Sequence, residues 1–258
     1  MSPGPLVFAH RGASADLPEH TLDAYLRAVD EGVDGVECDV RMTRDGHVVC
    51  IHDRRLDRTS NGRGLVSRAT LAQLEGLDFV SWRARHLANA TPPRPSGVLT
   101  LDRLLTAVIN VGRPLRLLIE TKHPSRFGGA VEHAVVQLLE RYGLSKADPT
   151  AAVQVSVMSF SPLALRRVRR LAPGLPTAML YEIPLLTDDL PAMGADVLGP
   201  SIALVRARPS IVARARERGM KVYVWTVNNR EDVEMVVRLG VDGIITDRPA
   251  YVLARLGR

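Results

Sequence analysis

Short apolar segments alternate with amphipathic helical patterns along most of the chain, and this alternation limits the possible folds more than any other feature. Runs such as Gly35–Met42 and Val153–Ser159 have the length of strands, whereas Ala130–Tyr142 and Pro162–Leu171 show helical periodicity. Repeated strand–helix units indicate a parallel sheet. A length of 258 residues and this number of units favour a closed (β/α)8 barrel, the TIM barrel, over a doubly wound sheet.

One stretch interrupts the alternation. It contains the turn-forming pair Asn61-Gly62, the proline-rich segment Thr91–Pro95 and a single short helical pattern near Thr70–Gly76. We therefore predict one barrel domain over residues 1–258, with a small insertion at about residues 54–98, after the second strand region.

The charge balance bears on the kind of ligand. The chain has 34 Lys and Arg residues against 28 Asp and Glu, a net charge of +6, which would attract anionic ligands such as phosphates. Only 4% of residues are aromatic, and no base-stacking motif or dense basic tract is present. We therefore expect no nucleic-acid partner. The GxGxxG and GxxxxGK[ST] nucleotide-binding patterns are also absent.

Three features bear on location. The opening segment MSPGPLVFAHRG does not pair a basic region with an apolar one, and no apolar run approaches the ~18 residues of a membrane span. Cys38 and Cys50 both fall in apolar, strand-like runs, where we expect buried, reduced thiols. We predict a cytoplasmic protein without stable membrane insertion.

Two histidines stand at the ends of apolar runs, where a barrel places its active site. His10 follows the first run, with Gly12 ready to turn the backbone, and His52 follows a later one. Two imidazoles at one active site could perform two coupled proton transfers, one as a base and the other as an acid. Asp53 is expected either to orient a neighbour or to cap a turn.

Acidic residues occur at alternate positions of two predicted strands. Glu37 and Asp39 share one face of the second strand, with Cys38 on the other, and Glu120 and Lys122 share one face of a later strand. Buried carboxylates on one face repel each other unless a cation neutralises them, and a hard divalent ion suits oxygen ligands. The alternatives are solvated acids on the second strand and a structural Glu120–Lys122 ion pair.

Other polar and aromatic residues are open to two interpretations. Trp225 is either a core residue or an apolar wall beside a ligand. Asp247 either binds ligand or, as we favour, holds the barrel closed near the first strand. His20 is interpreted as part of the entry into a helix, with Glu19 as a possible neighbour of the site. Three further histidines, His47, His86 and His133, are expected at the surface, and His123 is expected to point away from Glu120 and Lys122.

Taken in order, these motifs resemble those of the glycerophosphodiester phosphodiesterases. The resemblance covers nearly the whole chain, and it lies in the order and spacing of short motifs. The matching segments are His10-Arg11-Gly12-Ala13, Pro18-Glu19-His20-Thr21, Glu37-Cys38-Asp39-Val40, Asp45-Gly46, Ile51-His52-Asp53, Asp57–Gly62, Ile119–Lys122, Val224–Asn228 and Gly243–Pro249.

The resemblance implies a (β/α)8 barrel that cleaves a small-molecule glycerophosphodiester to glycerol 3-phosphate and an alcohol. It implies that Glu37, Asp39 and Glu120 bind one divalent cation, Mg2+ or Ca2+. His10 and His52 would form the general acid/base pair. Arg11 and Lys122 would contact the phosphate, and Trp225 would line the glycerol side of the pocket.

Two rival functions and one departure from the family pattern remain. A lysophospholipase-D-like enzyme would share the barrel but need an apolar rim, for which Leu77–Trp82 is a candidate. A non-catalytic phosphate-ligand sensor would usually lack one of the five expected catalytic and metal residues, all of which are present. The family more often has Pro-Glu-Asn-Thr where this chain has Pro-Glu-His-Thr at residues 18–21. That change is expected to affect substrate preference or pH response rather than abolish activity.

Overall fold

The structure is a computed structural model that describes residues 4–84, 96–182 and 194–258. Eight parallel strands form a closed barrel, in which β1 pairs with β2 on one side and with β9 on the other. The third strand pairs antiparallel with β2 and lies outside the ring. The strands are β1 Leu6–His10, β2 Gly35–Met42, β3 Val48–Cys50, β4 Leu115–Thr121, β5 Val153–Ser159, β6 Thr177–Tyr181, β7 Val197–Pro200, β8 Lys221–Val224 and β9 Gly243–Thr246.

Helices connect most of the consecutive barrel strands. Several begin at a side chain that accepts a hydrogen bond from the first turn, as Thr21, Thr100, Ser161 and Asn229 do. The described helices are α1 Leu22–Asp30, α2 Leu71–Glu75, α3 Ser81–Ala84, α4 Leu101–Ile109, α5 Ala130–Arg141, α6 Pro162–Leu171, α7 Ile202–Ala207, α8 Ser210–Glu217, α9 Arg230–Arg238 and α10 Pro249–Arg255. The predicted (β/α)8 barrel is confirmed.

Apolar side chains pack on both faces of the barrel wall. The larger core lies between strands and helices and includes both buried, unpaired cysteines, so Cys38 faces the helix layer as expected. A smaller cluster fills the barrel interior, where Phe8 and Tyr223 pack with ring centroids 5.0 Å apart. Because strand neighbours alternate between these faces, Glu37 and Asp39 point into the barrel.

The turn after β1 requires a glycine. Gly12 has a φ of +85°, and a Cβ there would lie 2.6 Å from the backbone carbon of Ala24 in α1. Any larger residue would push α1 away from the mouth of the barrel.

The segment that follows β3 has its own small apolar core. It contains a 3-10 helix, Val66–Arg68, and then α2, which confirms the short helix expected near residues 70–76. Leu74 and Phe79 are buried in this core. The proline-rich part and His86 lie outside the described residues, so the insertion boundaries at 54 and 98 stay a prediction.

Strand positions agree closely with the sequence pattern, whereas one short helix does not. β2 and β5 have the predicted bounds. The six-residue helix α7 was not predicted, since it is too short to show a period. In the described part of the chain, no helix is long and apolar enough to cross a membrane.

Candidate active site

His10 ends β1 and faces the barrel mouth. Its Nδ1 atom lies 2.6 Å from Oδ1 of Asp247, which directly follows β9, and its Nε2 atom lies 4.0 Å from Oε2 of Glu37. Burial acts to raise the pKa of Asp247, but the hydrogen bond and charge of His10 lower it to about 2. An ionised Asp247 accepts the Nδ1 proton, which leaves Nε2 of His10 for chemistry in the cavity.

His52 has a similar arrangement beyond β3. Its Nδ1 atom lies 2.7 Å from Oδ1 of Asp53, and its backbone carbonyl accepts a 2.8 Å hydrogen bond from Nε of Arg41. Burial lowers the pKa of His52, which favours the neutral imidazole. Asp53 thus orients a neighbour, the first of its two expected roles, and leaves Nε2 of His52 as the second candidate proton carrier.

Three carboxylates form a buried cluster inside the barrel. Glu37 and Asp39 project from β2, and Glu120 on β4 pairs in register with Asp39. One oxygen from each lies within 4.8 Å of the others, and the three residues are 1%, 1% and 6% exposed. These acids are therefore not a solvated surface face.

The three carboxylates of the cluster differ in how readily they ionise. Burial, together with the charge of Asp39, raises the pKa of Glu37 well above its usual range and that of Glu120 to about 8. Burial also acts to raise the pKa of Asp39, but the hydrogen bond from His20 and the charges of Arg11 and Lys122 hold it well below the usual range. The cluster thus holds one firmly ionised carboxylate and two that resist ionisation.

Two cations lie against these acids. The Nζ atom of Lys122 is 2.7 Å from Oε1 of Glu120 and 3.3 Å from Oδ1 of Asp39. The Nε atom of Arg11 is 2.9 Å from Oδ2 of Asp39, and its Nη1 atom is 3.1 Å from Oε1 of Glu19. Arg11 adopts a left-handed φ of +59°, and its backbone N–H donates to Oε2 of Glu37. Backbone and side chain of Arg11 are therefore both fixed by carboxylates.

The cluster fits a hard divalent cation. The Oδ1 atom of Asp39 is buried and accepts no well-formed hydrogen bond, despite its 3.3 Å separation from Lys122. If all three carboxylates were ionised, Arg11 and Lys122 would leave one negative charge without a partner, and a bound cation would stabilise that ionised form. Oxygen-only donors of this kind suit Mg2+ or Ca2+ better than a softer metal.

His20 lies in the site, although the sequence assigned it to the entry of α1. Thr21 caps that helix, and the buried imidazole of His20 instead joins the hydroxyl of Tyr25, 2.8 Å from Nδ1, to Oδ2 of Asp39, 3.0 Å from Nε2. Its φ of +59° is in the left-handed region, an uncommon conformation for a side chain of this size. The sequence did contain one indication of this role, because residues 18–21 are Pro-Glu-His-Thr where the family more often has Pro-Glu-Asn-Thr.

A cavity of about 300 Å3 brings these groups together. Trp225 forms part of its wall, with Nε1 bonded to the carbonyl of Gly199, and Phe160 meets that indole edge-on at 5.5 Å. Phe160 is 39% exposed and was not singled out from the sequence. The lining consists of His10, Arg11, Glu37, His52, Glu120, Lys122, Met158, Phe160, Leu180, Glu182, Trp225, Thr226 and Ile245.

The sequence profile of the glycerophosphoryl diester phosphodiesterase family matches residues 10–251. The chain belongs to this family. It is 46% identical over 254 residues to a protein of Mycobacterium tuberculosis named probable glycerophosphodiester phosphodiesterase 1, an alignment that covers 98% of this chain and 92% of the relative. It is 33% identical to a glycerophosphodiester phosphodiesterase of Caldanaerobacter subterraneus, with 96% of both chains covered.

Solved structures agree with the barrel. The described fold matches a putative glycerophosphoryl diester phosphodiesterase of Silicibacter pomeroyi with a TM-score of 0.84 and 27% identity, covering 98% of this chain and 94% of the other. A phosphodiesterase of Oleispira antarctica, solved with its product sn-glycerol 3-phosphate, matches with a TM-score of 0.82 and 24% identity, covering 99% and 98%. At 24% identity, the similarity to the Oleispira antarctica structure supports the fold alone.

The structure brings the predicted site residues together at the barrel mouth. Seven of them line the cavity, and Asp39 contacts two of those seven, Arg11 and Lys122. The candidate lipid rim does not form at Phe79 and Val80, which are 7% and 6% exposed and pack inward. His47 and His133 are exposed, as expected.

Proposed function

We propose that this member of the glycerophosphodiester phosphodiesterase family hydrolyses small glycerophosphodiesters to glycerol 3-phosphate and an alcohol, with a divalent cation and two histidines. One observation carries the proposal: two oriented imidazoles and a buried three-carboxylate cluster open into the same cavity. The curated relatives at 46% and 33% identity carry the name of this activity.

Glu37, Asp39 and Glu120 are the proposed ligands of the cation, Mg2+ or Ca2+. When bound, the ion would offset the negative charge that develops on the phosphate oxygens. The unbonded Oδ1 atom of Asp39 and the raised pKa values of both glutamates support this assignment. Each would be satisfied by a cation among the three carboxylates.

His10 and His52 are the proposed proton carriers. Hydrolysis forms a bond from an oxygen nucleophile to phosphorus and breaks the bond from phosphorus to the alcohol oxygen. One Nε2 atom takes the proton of the nucleophile, and the other donates a proton to the departing alcohol. The aspartate at each Nδ1 stabilises the imidazolium that forms when its histidine is protonated.

Arg11 and Lys122 are the proposed phosphate contacts. Both line the cavity, and both are already fixed by neighbouring carboxylates, so they present positive charge without reordering. Trp225 and Phe160 form an apolar wall, against which the carbon atoms of glycerol can pack. We keep the cytoplasmic location within this proposal, on the basis of two buried, unpaired cysteines.

The deciding experiment measures glycerol 3-phosphate released from glycerophosphocholine before EDTA treatment, after it, and after Mg2+ or Ca2+ is added back. We expect release to stop with EDTA and to return with one of the two ions. Failure of the folded, metal-loaded protein to release glycerol 3-phosphate from choline, ethanolamine or glycerol diesters would overturn the proposal.

A further inference from the structure

A second, smaller cavity of about 40 Å3 lies beside the reaction centre. That is several times the room that one water molecule needs. Lys122 lines both cavities, and Arg41, which lines the smaller one, donates to the backbone carbonyl of His52 in the larger one. A group bound in the smaller cavity would therefore lie next to the reacting phosphate.

The polar side chains that line this cavity carry either a positive charge or a hydroxyl group. Its lining carries four cationic side chains and two hydroxyls, and no carboxylate: Arg41, Arg54, Lys122, Arg126, Ser67 and Ser125. Lys122 forms salt bridges with Glu120 and Asp39. Within residues 4–84, 96–182 and 194–258, Arg41, Arg54 and Arg126 form no salt bridge.

The arginines are held at the cavity by contacts other than ion pairs. Arg126 donates from Nη1 to the carbonyl of Ser67, and its guanidinium lies 5.5 Å from the ring centroid of Phe127. The backbone carbonyl of Arg54 accepts from the N–H of Val66, which fixes the bend from which the side chain of Arg54 extends. Arg41 is half-buried, whereas Arg54 and Arg126 are exposed. The three guanidinium groups repel each other around one small cavity, and an oxyanion would offset that repulsion.

We propose that this cavity is an oxyanion subsite, which binds a second phosphate or carboxylate group carried by the alcohol portion of the substrate. The inference rests on the proposed function and adds the substrate class. Lys122 follows β4, which lies between β2, the strand of Arg41, and β5, which is followed by Phe160. The smaller cavity and the Trp225–Phe160 wall, where glycerol is proposed to pack, therefore lie on opposite sides of Lys122. The group that leaves as the alcohol would therefore enter it. A free oxyanion has the same chemistry and is the alternative occupant.

The test compares two substrates that differ only in one charged group, glycerophosphoglycerol and the same diester with a phosphate on its terminal hydroxyl. We expect wild-type kcat/KM to favour the phosphorylated diester, and the double variant Arg54→Gln/Arg126→Gln to reduce that preference at least fivefold. Arg103→Gln, which removes one charge from an exposed position in α4, should leave the preference unchanged.

A second arm measures Tm with inorganic phosphate and does not depend on turnover. A phosphate-induced rise in Tm that the double variant loses, without any substrate preference, would assign the subsite to a free oxyanion. If the variant changes neither the preference nor the phosphate effect, the subsite does not exist. If the wild-type protein turns over neither diester, the proposed function fails, while the Tm arm still decides whether the cavity binds an oxyanion.

Discussion

Arg58 binds Glu19 through two hydrogen bonds of 2.7 Å each, although the two residues are 39 positions apart in the chain. The same guanidinium binds Asp53, with Nε 2.7 Å from Oδ2. Glu19 in turn holds Arg11, and Asp53 holds His52. Arg58 thus connects a proposed phosphate contact to a proposed proton carrier without lining the cavity itself.

Replacing Arg58 should therefore lower activity by loosening both neighbours. We expect Arg58→Met to reduce kcat/KM for glycerophosphocholine about tenfold, the effect of about 1.4 kcal/mol in transition-state binding. The matched control is Arg55→Met, which loses only an exposed ion pair to Asp57 and should stay near wild-type activity. Equal activity of the two variants would show that Arg58 positions nothing in the site.

The same network predicts acid sensitivity. Burial acts to raise the pKa of Glu19 and Asp53, but Arg58 is the main group that lowers each, from 4.5 and 3.8 to about 2. A carboxylate with a lowered folded-state pKa stabilises the fold above its unfolded pKa and loses that contribution as pH falls.

We therefore expect urea-unfolding free energy to fall between about pH 5 and pH 2, by up to about 2 kcal/mol for Glu19 and by less for Asp53, because solvent screens its more exposed carboxylate. Arg58→Met should flatten this part of the profile. Arg55→Met should change the slope much less, because Arg55 lowers the pKa only of exposed Asp57, whose charge is screened by solvent. Parallel profiles for Arg58→Met and wild type would rule out this origin for the acid sensitivity.

The assignment of His10 and His52 as proton carriers predicts a large loss of activity when either is replaced, and none when a histidine outside the cavity is replaced. His10→Ala and His52→Ala should each lower kcat by about 10²–10⁴-fold, the usual range for a general acid or base. Exposed His133 in α5 provides the control, since His133→Ala removes the same side chain away from the cavity. Near-normal kcat in either cavity variant, measured on folded and metal-loaded protein, would make the assignment wrong.

The carboxylate cluster predicts opposite effects with and without metal. A carboxyl whose folded-state pKa is raised costs stability as pH rises through that pKa, which for Glu120 is about 8. At pH 8, metal-free Glu120→Gln should therefore melt no lower than metal-free wild type. Mg2+ or Ca2+ should raise the Tm of wild type and fail to raise that of the variant. A metal-induced rise of equal size in both proteins would exclude Glu120 as a ligand.

Local sequence patterns were enough to predict the barrel and most residues of the candidate site. The alternation in β2 predicts that Glu37 and Asp39 share a face while Cys38 points away, because side-chain direction in a strand follows from position alone. Strand ends predict the general location of His10 and Lys122, since the carboxyl ends of barrel strands meet at one mouth. His52 follows β3, which pairs antiparallel with β2 outside the barrel, so this rule does not account for its position.

The missing parts depend on contacts between distant segments. Asp247 was expected near the first strand and lies there, but no local pattern names His10, 237 residues earlier, as its partner. No local pattern shows that Arg58 meets Glu19 either. His20 was assigned to helix entry because its neighbour Thr21 has that role, whereas its left-handed backbone turns the imidazole toward Asp39. The sequence did not indicate that Phe160 lines the cavity, because its contact with Trp225 forms only where the ends of β5 and β8 meet.

The closure of the barrel through β1 and β9 also sets the order in which the protein can become active during its own synthesis. His10 is synthesised before the carboxylate that fixes its tautomer, because Asp247 directly follows β9, more than two hundred residues later. A nascent chain that already contains both histidines and all three carboxylates would still lack an oriented His10. Activity would then arise only when β9 docks against β1 and closes the barrel.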